Sequence, residues 1–259
     1  MSGPETQARL SPWWRRSALG VMIFGFSILI FLTFQTYRKA PPIPSQVVDE
    51  GGAVLYTAEY VGKGQEVFFK YGLMEHGSLW GHGAYLGPDY SAAYLRREAE
   101  ITRDALAASR FGKEANALDE HQRASVLAEV KEVLKTNRYD ATTGVLLYTA
   151  GEAHSFAVQQ AEWAAYLAEG APGLPASYLK GEGEARVLTA FLAWSSWAAR
   201  ANRPGRTYSY TSNWPYDPLA GNTPTAQAIL WSAVSLVFLL GGLGAILVFF
   251  GKFDLLGWK

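Results

Sequence analysis

Two long uncharged stretches constrain this chain more than any other feature of its sequence. The first covers 21 residues, Ser17 to Tyr37, and the second covers 34 residues, Pro218 to Gly251, with an apolar centre at Ala228 to Phe250. A helix of ~20 apolar residues crosses the ~30 Å hydrocarbon layer of a bilayer. Both stretches are long enough, so we expect two transmembrane helices, at residues 17–37 and 226–251.

The first stretch has two other interpretations, a signal peptide and a buried core helix. A signal peptide would be followed by a cleavage site of small residues, and the sequence after Tyr37 is RKAPPIPSQ. This favours an uncleaved membrane anchor. The Gly-rich run at Gly241 to Gly244 gives the second stretch a smooth face that suits close packing against another helix.

Basic residues at the ends of the two stretches indicate an orientation. Three arginines precede the first stretch and two lysines follow the second, whereas Arg38 and Lys39 lie at the opposite end of the first. The positive-inside bias is therefore modest, and it favours cytoplasmic segments at 1–16 and 252–259. We then expect a two-pass protein of a bacterial inner membrane with residues 38–225 outside, in the periplasm.

Charge and cysteine content exclude several functions. The 23 basic residues balance the 23 acidic ones, so no basic field favours nucleic acid as a partner. The chain has no cysteine. Disulfides, thiolate metal sites and covalent haem attachment through C-x-x-C-H are thus excluded.

The segment between the two stretches is predicted to be mostly helical. Apolar periodicity predicts four helices, and turn residues with β-branched neighbours predict a short hairpin or strand at Tyr139 to Thr149. Ser91 is the predicted N-cap of the first of these helices. The helices are predicted at 90–111, 119–135, 152–169 and 182–202. We therefore expect a mainly α membrane protein whose external domain buries its own core.

The stretch YGLMEHGSLWGHGAYLGPDY, residues 71–90, resembles a metal site because it holds two histidines and a glutamate. His76 and His82 are six residues apart, however, whereas zinc-binding histidines on a helix are four apart. Two histidines and Glu75 without further ligands are weak evidence for a metal. The simpler interpretation is a loop whose histidines bond to the backbone.

Three motifs carry a family resemblance. KYGLMEHGSLWGHGAYLGPDYSAAYL, RYDATTG and FLAWSSWAARANRPGRTYSYTSNWPYDPLAGNTPTAQAILWS together resemble the N-terminal region of quinol-dependent nitric oxide reductases. These are single-chain members of the haem–copper oxidase superfamily, and the resemblance extends over about residues 17–259. It implies a cytochrome c-like external domain with a transmembrane helix at each end.

The resemblance also explains the stretch at residues 71–90. In cytochrome c-dependent relatives a haem motif, C-x-x-C-H, is followed by a Gly-Ala-Tyr segment. Counting back from Gly83, the two cysteine positions fall on Leu73 and His76, and the haem-ligating histidine falls on Gly77. The resemblance thus implies a degenerate haem motif and a domain without haem.

The Gly-Ala-Tyr segment is implied to keep a role at calcium. In the family, the corresponding glycine carbonyl and tyrosine side chain approach a calcium ion that bridges haem propionates of the catalytic part. Gly83 and Tyr85 are the matching residues here. Oxygen ligands suit this hard cation, and the remaining ligands, a glutamate and the propionates, would lie outside this chain.

The function implied by the resemblance is that of an accessory module. Full-length members reduce two nitric oxide molecules to nitrous oxide and water with electrons from quinol, at a haem b3 and a non-haem iron, with a haem b as relay. Their ligands lie on later helices of a twelve-helix core. The four histidines of this chain lie outside both uncharged stretches, so we expect no turnover from this chain alone.

Three explanations of the chain remain open. It is either part of a longer reductase or a separate non-catalytic subunit that assembles with a catalytic partner. Two membrane helices around an external domain are also typical of bacterial sensors. A sensor has a cytoplasmic signalling domain after its second helix, and only residues 251–259 follow here.

Overall fold

The computed structural model describes residues 12–181 and 183–253. The chain divides into two units, one ending at Pro42 and the other beginning at Ile43. Of the predicted cytoplasmic segments, 1–16 and 252–259, residues 1–11 and 254–259 lie outside the described part of the chain. These include Arg9 and Lys259.

Each of the two predicted transmembrane helices, at residues 17–37 and 226–251, is present as one continuous helix. Helix α1 spans Pro12–Arg38 and helix α7 spans Ala226–Phe253. Their 27 and 28 residues give lengths of about 40 Å, enough to cross a bilayer. Neither apolar window is buried by the rest of the protein. The prediction of two membrane-type helices that flank a mostly helical domain is confirmed.

Five helices build the domain between them in the described residues, and the mainly α prediction is confirmed. Helices α3, α4, α5 and α6 correspond to the four predicted from periodicity, and α2 is a further helix. Residue Glu182, where the last predicted helix was to begin, lies outside the described part. The helices are α2 Ala58–Lys70, α3 Tyr90–Phe111, α4 Glu120–Lys135, α5 Ala150–Glu169 and α6 Glu184–Arg200.

The β structure is small. Strands β5 (Tyr139–Asp140) and β6 (Val145–Leu147) form the predicted hairpin. Strand β6 pairs in parallel with β1 (Gln46–Val48), which pairs antiparallel with β2 (Val54–Thr57), so the sheet order is β2-β1-β6-β5. A separate ribbon consists of β3 (Ser78–Leu79) and β4 (His82–Gly83).

Polar residues at the helix starts explain where the helices begin. Asp89, not Ser91, caps α3: its carboxylate accepts from the backbone NH of Ala92 at 2.9 Å. The predicted cap was wrong because Ser91 lies inside the first turn, where its hydroxyl donates to Asp89. Capping boxes begin α4 (Asp119 with Gln122) and α5 (Thr149 with Glu152), and each satisfies two backbone donors.

Helix α6 is the centre of the domain. Every residue from Leu188 to Arg200 is buried. It packs so closely on α2 that a Cβ added to Gly64 would overlap the carbonyl oxygen of Val187 and lie 2.6 Å from Cβ of Phe191. Glycine is therefore required at this contact.

A buried ion network joins α6 to α3 and α5. The guanidinium of Arg200 donates to Glu98 at 2.9 Å and 3.0 Å, to Glu152 at 2.7 Å and to the Leu134 carbonyl at 2.8 Å. Burial raises the pKa of Glu98 even though Arg200 opposes the shift. Burial disfavours the charge of Arg200 too, but the two glutamates outweigh it and raise the pKa of the guanidinium. Arg138 adds a second cation, 3.3 Å from Glu152.

Candidate functional site

The segment in which the resemblance implies a degenerate haem motif, residues 73–77, is folded into the domain core. A 3₁₀ turn, Leu73–Glu75, follows Gly72 in a left-handed conformation, and the β3–β4 ribbon comes next. The side chain of Leu73 is 1% exposed and belongs to the main core cluster. The residue aligned with the first cysteine of the haem motif, Leu73, is thus a core residue.

His76 is buried, and its partner is a side chain rather than the backbone. Its Nε2 lies 3.0 Å from the hydroxyl of Tyr166 on α5, and the ring is 4% exposed. Burial raises the pKa of Tyr166. The prediction of backbone-bonded loop histidines was therefore wrong for His76. His82 lies on the surface, and the described residues contain no group of three His, Asp or Glu that could hold a metal ion.

Gly77 has no room for a side chain. An added Cβ would overlap the carbonyl oxygen of Pro88 and lie 2.7 Å from the ring of Tyr90. That ring packs edge-on against Phe68, with centroids 5.6 Å apart, and lies 5.8 Å from Trp163. An imidazole at position 77 has no place in this packing. With no cysteine in the chain, the residues present do not fit a c-type haem.

The two residues predicted to contact calcium lie at the edge of the ribbon. Gly83 has φ +139°, and a Cβ there would lie 2.9 Å from Cα of Ser78 and would overlap the carbonyl oxygen of Gly77. The side chain of Tyr85 is 84% exposed, and its hydroxyl donates to the Gly81 carbonyl at 3.4 Å. A backbone carbonyl and an accessible phenol are oxygen donors that suit calcium.

Asp89 positions this loop, although the sequence patterns had not indicated it. One carboxylate oxygen accepts from the Ser78 hydroxyl at 2.9 Å and from the Gly81 NH at 2.6 Å, while the other caps α3. Asp89 thus fixes the ribbon to the helix. An Asp after Pro88 and directly before an apolar helix is an N-cap signal, and it could have been recognised.

A second loop contacts the same ribbon. A Cβ on Gly81, which has φ +83°, would lie 2.7 Å from Nε1 of Trp214, so the indole lies directly against this glycine. Trp80, next to it, donates its indole NH to the Ser195 carbonyl of α6 at 2.9 Å. The start of the Gly81–Tyr85 loop is therefore contacted by Trp214, and the residue before it, Trp80, is bonded to α6.

A comparison with family models identifies the domain. Residues 44–216, more than half of the chain, match the model of the NorB cytochrome c-like domain of nitric oxide reductase. The chain belongs to this nitric oxide reductase family. A search of curated proteins found no match.

The family assignment agrees with the packing of this reductase-type domain. The matched range includes residues 73–77, and Leu73 packs in the main core cluster of the domain. The alignment of Leu73, His76 and Gly77 with a haem motif, and the calcium contacts of Gly83 and Tyr85, remain predictions. The apolar helices α1 and α7 are consistent with a two-pass membrane protein.

Proposed function

We propose that this chain is the N-terminal accessory module of a quinol-dependent nitric oxide reductase. The complete enzyme reduces two nitric oxide molecules to nitrous oxide and water. The module caps the outer face of the catalytic core and keeps water from the cofactors beneath it. It carries no electrons itself.

The closed packing at Gly77 supports a structural role most directly. A domain that relayed electrons through a c-type haem would keep a space for the haem ligand at this position. Here the Pro88 carbonyl and the Tyr90 ring fill that space. Beside it His76 is engaged with Tyr166, and Leu73 packs in the core.

The catalytic residues of the proposed enzyme lie outside residues 1–259. The four histidines of this chain lie between residues 76 and 154, whereas α1 and α7 contain none. This chain therefore supplies no imidazole to haem b, haem b3 or non-haem iron within the bilayer. The twelve-helix core that holds them is either a continuation of the same polypeptide or a separate subunit.

The proposed location is a bacterial inner membrane with the domain in the periplasm. Helix α7 has its one charged residue, Lys252, in its last turn. A lysine after an apolar helix favours the cytoplasmic side. The domain then lies on the outer side, above the catalytic core.

An optical spectrum and an assembly assay test the proposal. The chain is purified in detergent from a host that makes b- and c-type cytochromes, alone and together with a separately supplied catalytic core. We expect no Soret band from the chain alone. With the core we expect a stable complex that consumes nitric oxide when quinol is supplied.

Two outcomes would contradict the proposal. A Soret band from the chain alone would show that the domain binds haem despite the packing at Gly77. A core that consumes nitric oxide at the same rate without the module, and does not copurify with it, would show that the module has another function.

The calcium contact has its own test in the assembled reductase. We expect Tyr85→Phe to weaken calcium retention several-fold, because it removes one oxygen ligand from a hard cation. Tyr60→Phe on α2 is the matched control, and we expect no change from it. The measurement is calcium content after dialysis against a chelator, with turnover as a second readout. Unchanged values for Tyr85→Phe would exclude the contact.

A further inference from the structure

The loop between α6 and α7 is held rigidly by buried side-chain amides. Asn213 accepts from the ammonium of Lys135 at 2.8 Å and from the Ser209 NH at 2.9 Å. Asn222, which is fully buried, donates to the Ala199 carbonyl at 2.9 Å and to the Pro215 carbonyl at 3.1 Å. These bonds tie the loop to Lys135 at the end of α4 and to Ala199 of α6.

The same loop is bonded to the beginning of α7. The side-chain amide of Asn213 donates to the Thr223 carbonyl at 3.1 Å, and the Thr225 NH donates to the Ser212 carbonyl at 3.3 Å. Trp214 is two residues from Ser212, and Thr225 directly precedes α7, so Trp214 lies close along the chain to a residue bonded to the start of the helix. The loop and the helix start therefore form one piece of structure.

Two aromatic side chains project from this rigid loop. Trp214 is 45% exposed and Tyr216 is 60% exposed, whereas Asn213, Pro215 and Asp217 between and beside them are buried. This alternation places the two rings on the outer side of the loop. Contact with Gly81 fixes the indole of Trp214 while part of it stays uncovered.

We propose that Trp214 and Tyr216 lie in the lipid headgroup layer of the bilayer that α7 enters, and that they seat the domain on the membrane surface. Headgroup regions add roughly 5–8 Å on each side of the hydrocarbon. Trp and Tyr favour this layer because their rings are apolar and one edge is polar. The apolar window of α7 is itself uncovered.

The charge of the loop fits a lipid surface. Asp217 is the one acidic residue between Ser209 and Thr225, and it is 7% exposed. Its carboxylate faces inward and accepts from the backbone NH groups of Leu219 and Ala220 at 2.8 Å and 3.0 Å. No carboxylate of this loop is left to repel lipid phosphates.

Spin labelling tests the proposal cleanly because the chain has no cysteine. Tyr216→Cys receives a nitroxide in the full chain, reconstituted in vesicles of phosphatidylethanolamine and phosphatidylglycerol. The control is Phe69→Cys on α2, an aromatic side chain with the same 60% exposure. Electron paramagnetic resonance then measures the accessibility of each label to oxygen, which concentrates in lipid, and to a water-soluble nickel chelate.

We expect the oxygen-to-nickel accessibility ratio to be several-fold higher at position 216 than at position 69. Equal ratios would place the loop in water and overturn the proposal. Low accessibility to both reagents would mean that protein covers the loop, and would also overturn it. Because no catalytic core is present, either failure leaves the proposed reductase function untouched.

Discussion

Helices α6 and α7 are both rich in apolar residues, yet they are built for opposite surroundings. Residues 188–200 of α6 are all buried inside the domain, whereas α7 has no buried residue. Helix α6 ends in Arg200, whose charge is met by two glutamates, and Ser196 in the turn before it donates to Glu98 at 3.3 Å. Helix α7 has no charged residue before Lys252.

The difference lies in what the surroundings supply. A protein interior accepts a charge when it provides a counter-charge and hydrogen bonds. Hydrocarbon provides neither, so a membrane helix must have no charge to satisfy. Apolar content alone does not distinguish a buried helix such as α6 from a membrane-type helix such as α7. The presence of Arg200 in the buried part of α6 does.

Removing the central charge of α6 should have the largest effect. Arg200→Leu leaves Glu98 and Glu152 without their main counter-charge, and we expect a loss of about 3–5 kcal/mol in the free energy of unfolding of the domain. Urea denaturation of the full chain in detergent, followed by tryptophan fluorescence, measures it. Arg186→Leu, on the exposed face of the same helix, should change stability by less than about 1 kcal/mol. Equal losses of stability from the two changes would show that the buried ion network does not stabilise the domain.

Adding a charge to α7 should have the next largest effect. Leu239→Arg, near the middle of the helix, should raise the apparent free energy of membrane insertion by about 3 kcal/mol. A topology reporter fused after residue 259 shows whether α7 crosses. We expect a larger fraction of reporters on the outer side, while Leu239→Ala should keep the parent topology. A reporter that stays inside in both variants would show that the rest of the chain holds α7 in place.

Glycine substitutions in α2 test the close contact with α6. Gly64→Ala should lower the free energy of unfolding by about 1–3 kcal/mol, because the new methyl group overlaps the Val187 carbonyl. Gly62→Ala, in the same helix with open space around it, should raise it by up to about 1 kcal/mol. Opposite signs in the same denaturation experiment are the expected result. A gain in stability from both would mean that the two helices have room to separate.

The smallest expected effect concerns the loop that leads into α7. Burial, with repulsion from Arg200, lowers the pKa of Lys135 to about 8. Between this value and the ordinary pKa of lysine, the unfolded chain binds more protons, so this group makes stability rise with pH in that window. Lys135 is partly solvated, so we expect no more than about 1–2 kcal/mol.

The difference between parent and Lys135→Met isolates this contribution. The difference in their free energies of unfolding should increase between about pH 8 and 9.5 and stay constant between about pH 6 and 7, where the lysine is charged in both states. Urea denaturation across this pH range provides the measurement. A difference that does not change with pH would mean that Lys135 keeps an ordinary pKa in the folded protein.

Sequence patterns predicted the helices because those patterns are local. Helix α3 follows from the apolar periodicity of residues 90–111, and the β5–β6 hairpin follows from the turn residues near Gly144. The contacts that organise the domain are not local. Arg200 bonds to Glu98 from 102 residues away, and His76 meets Tyr166 across 90 residues. Neither pairing leaves a signal in one sequence.

The candidate site was only partly predictable for the same reason. The family motif located Leu73, His76 and Gly77, and the Gly-Ala-Tyr segment located Tyr85. It did not indicate that Pro88 and Tyr90, further along the chain than Gly77, would close the space above it. Spacing within a motif reveals which residue types are present, and packing decides what they can do.

The closed position at Gly77 has a consequence for protein engineering. Introducing Cys-x-x-Cys-His into this domain by changing Leu73, His76 and Gly77 would not produce a haem-binding cytochrome. The new imidazole would meet the Pro88 carbonyl and the Tyr90 ring, and the Tyr166 hydroxyl would lose its partner at His76. A designer would first have to rebuild the turn before α3 and replace its aromatic neighbours. The space beside Gly77 is filled by the chain's own atoms, so a ligand could enter only after this packing is changed.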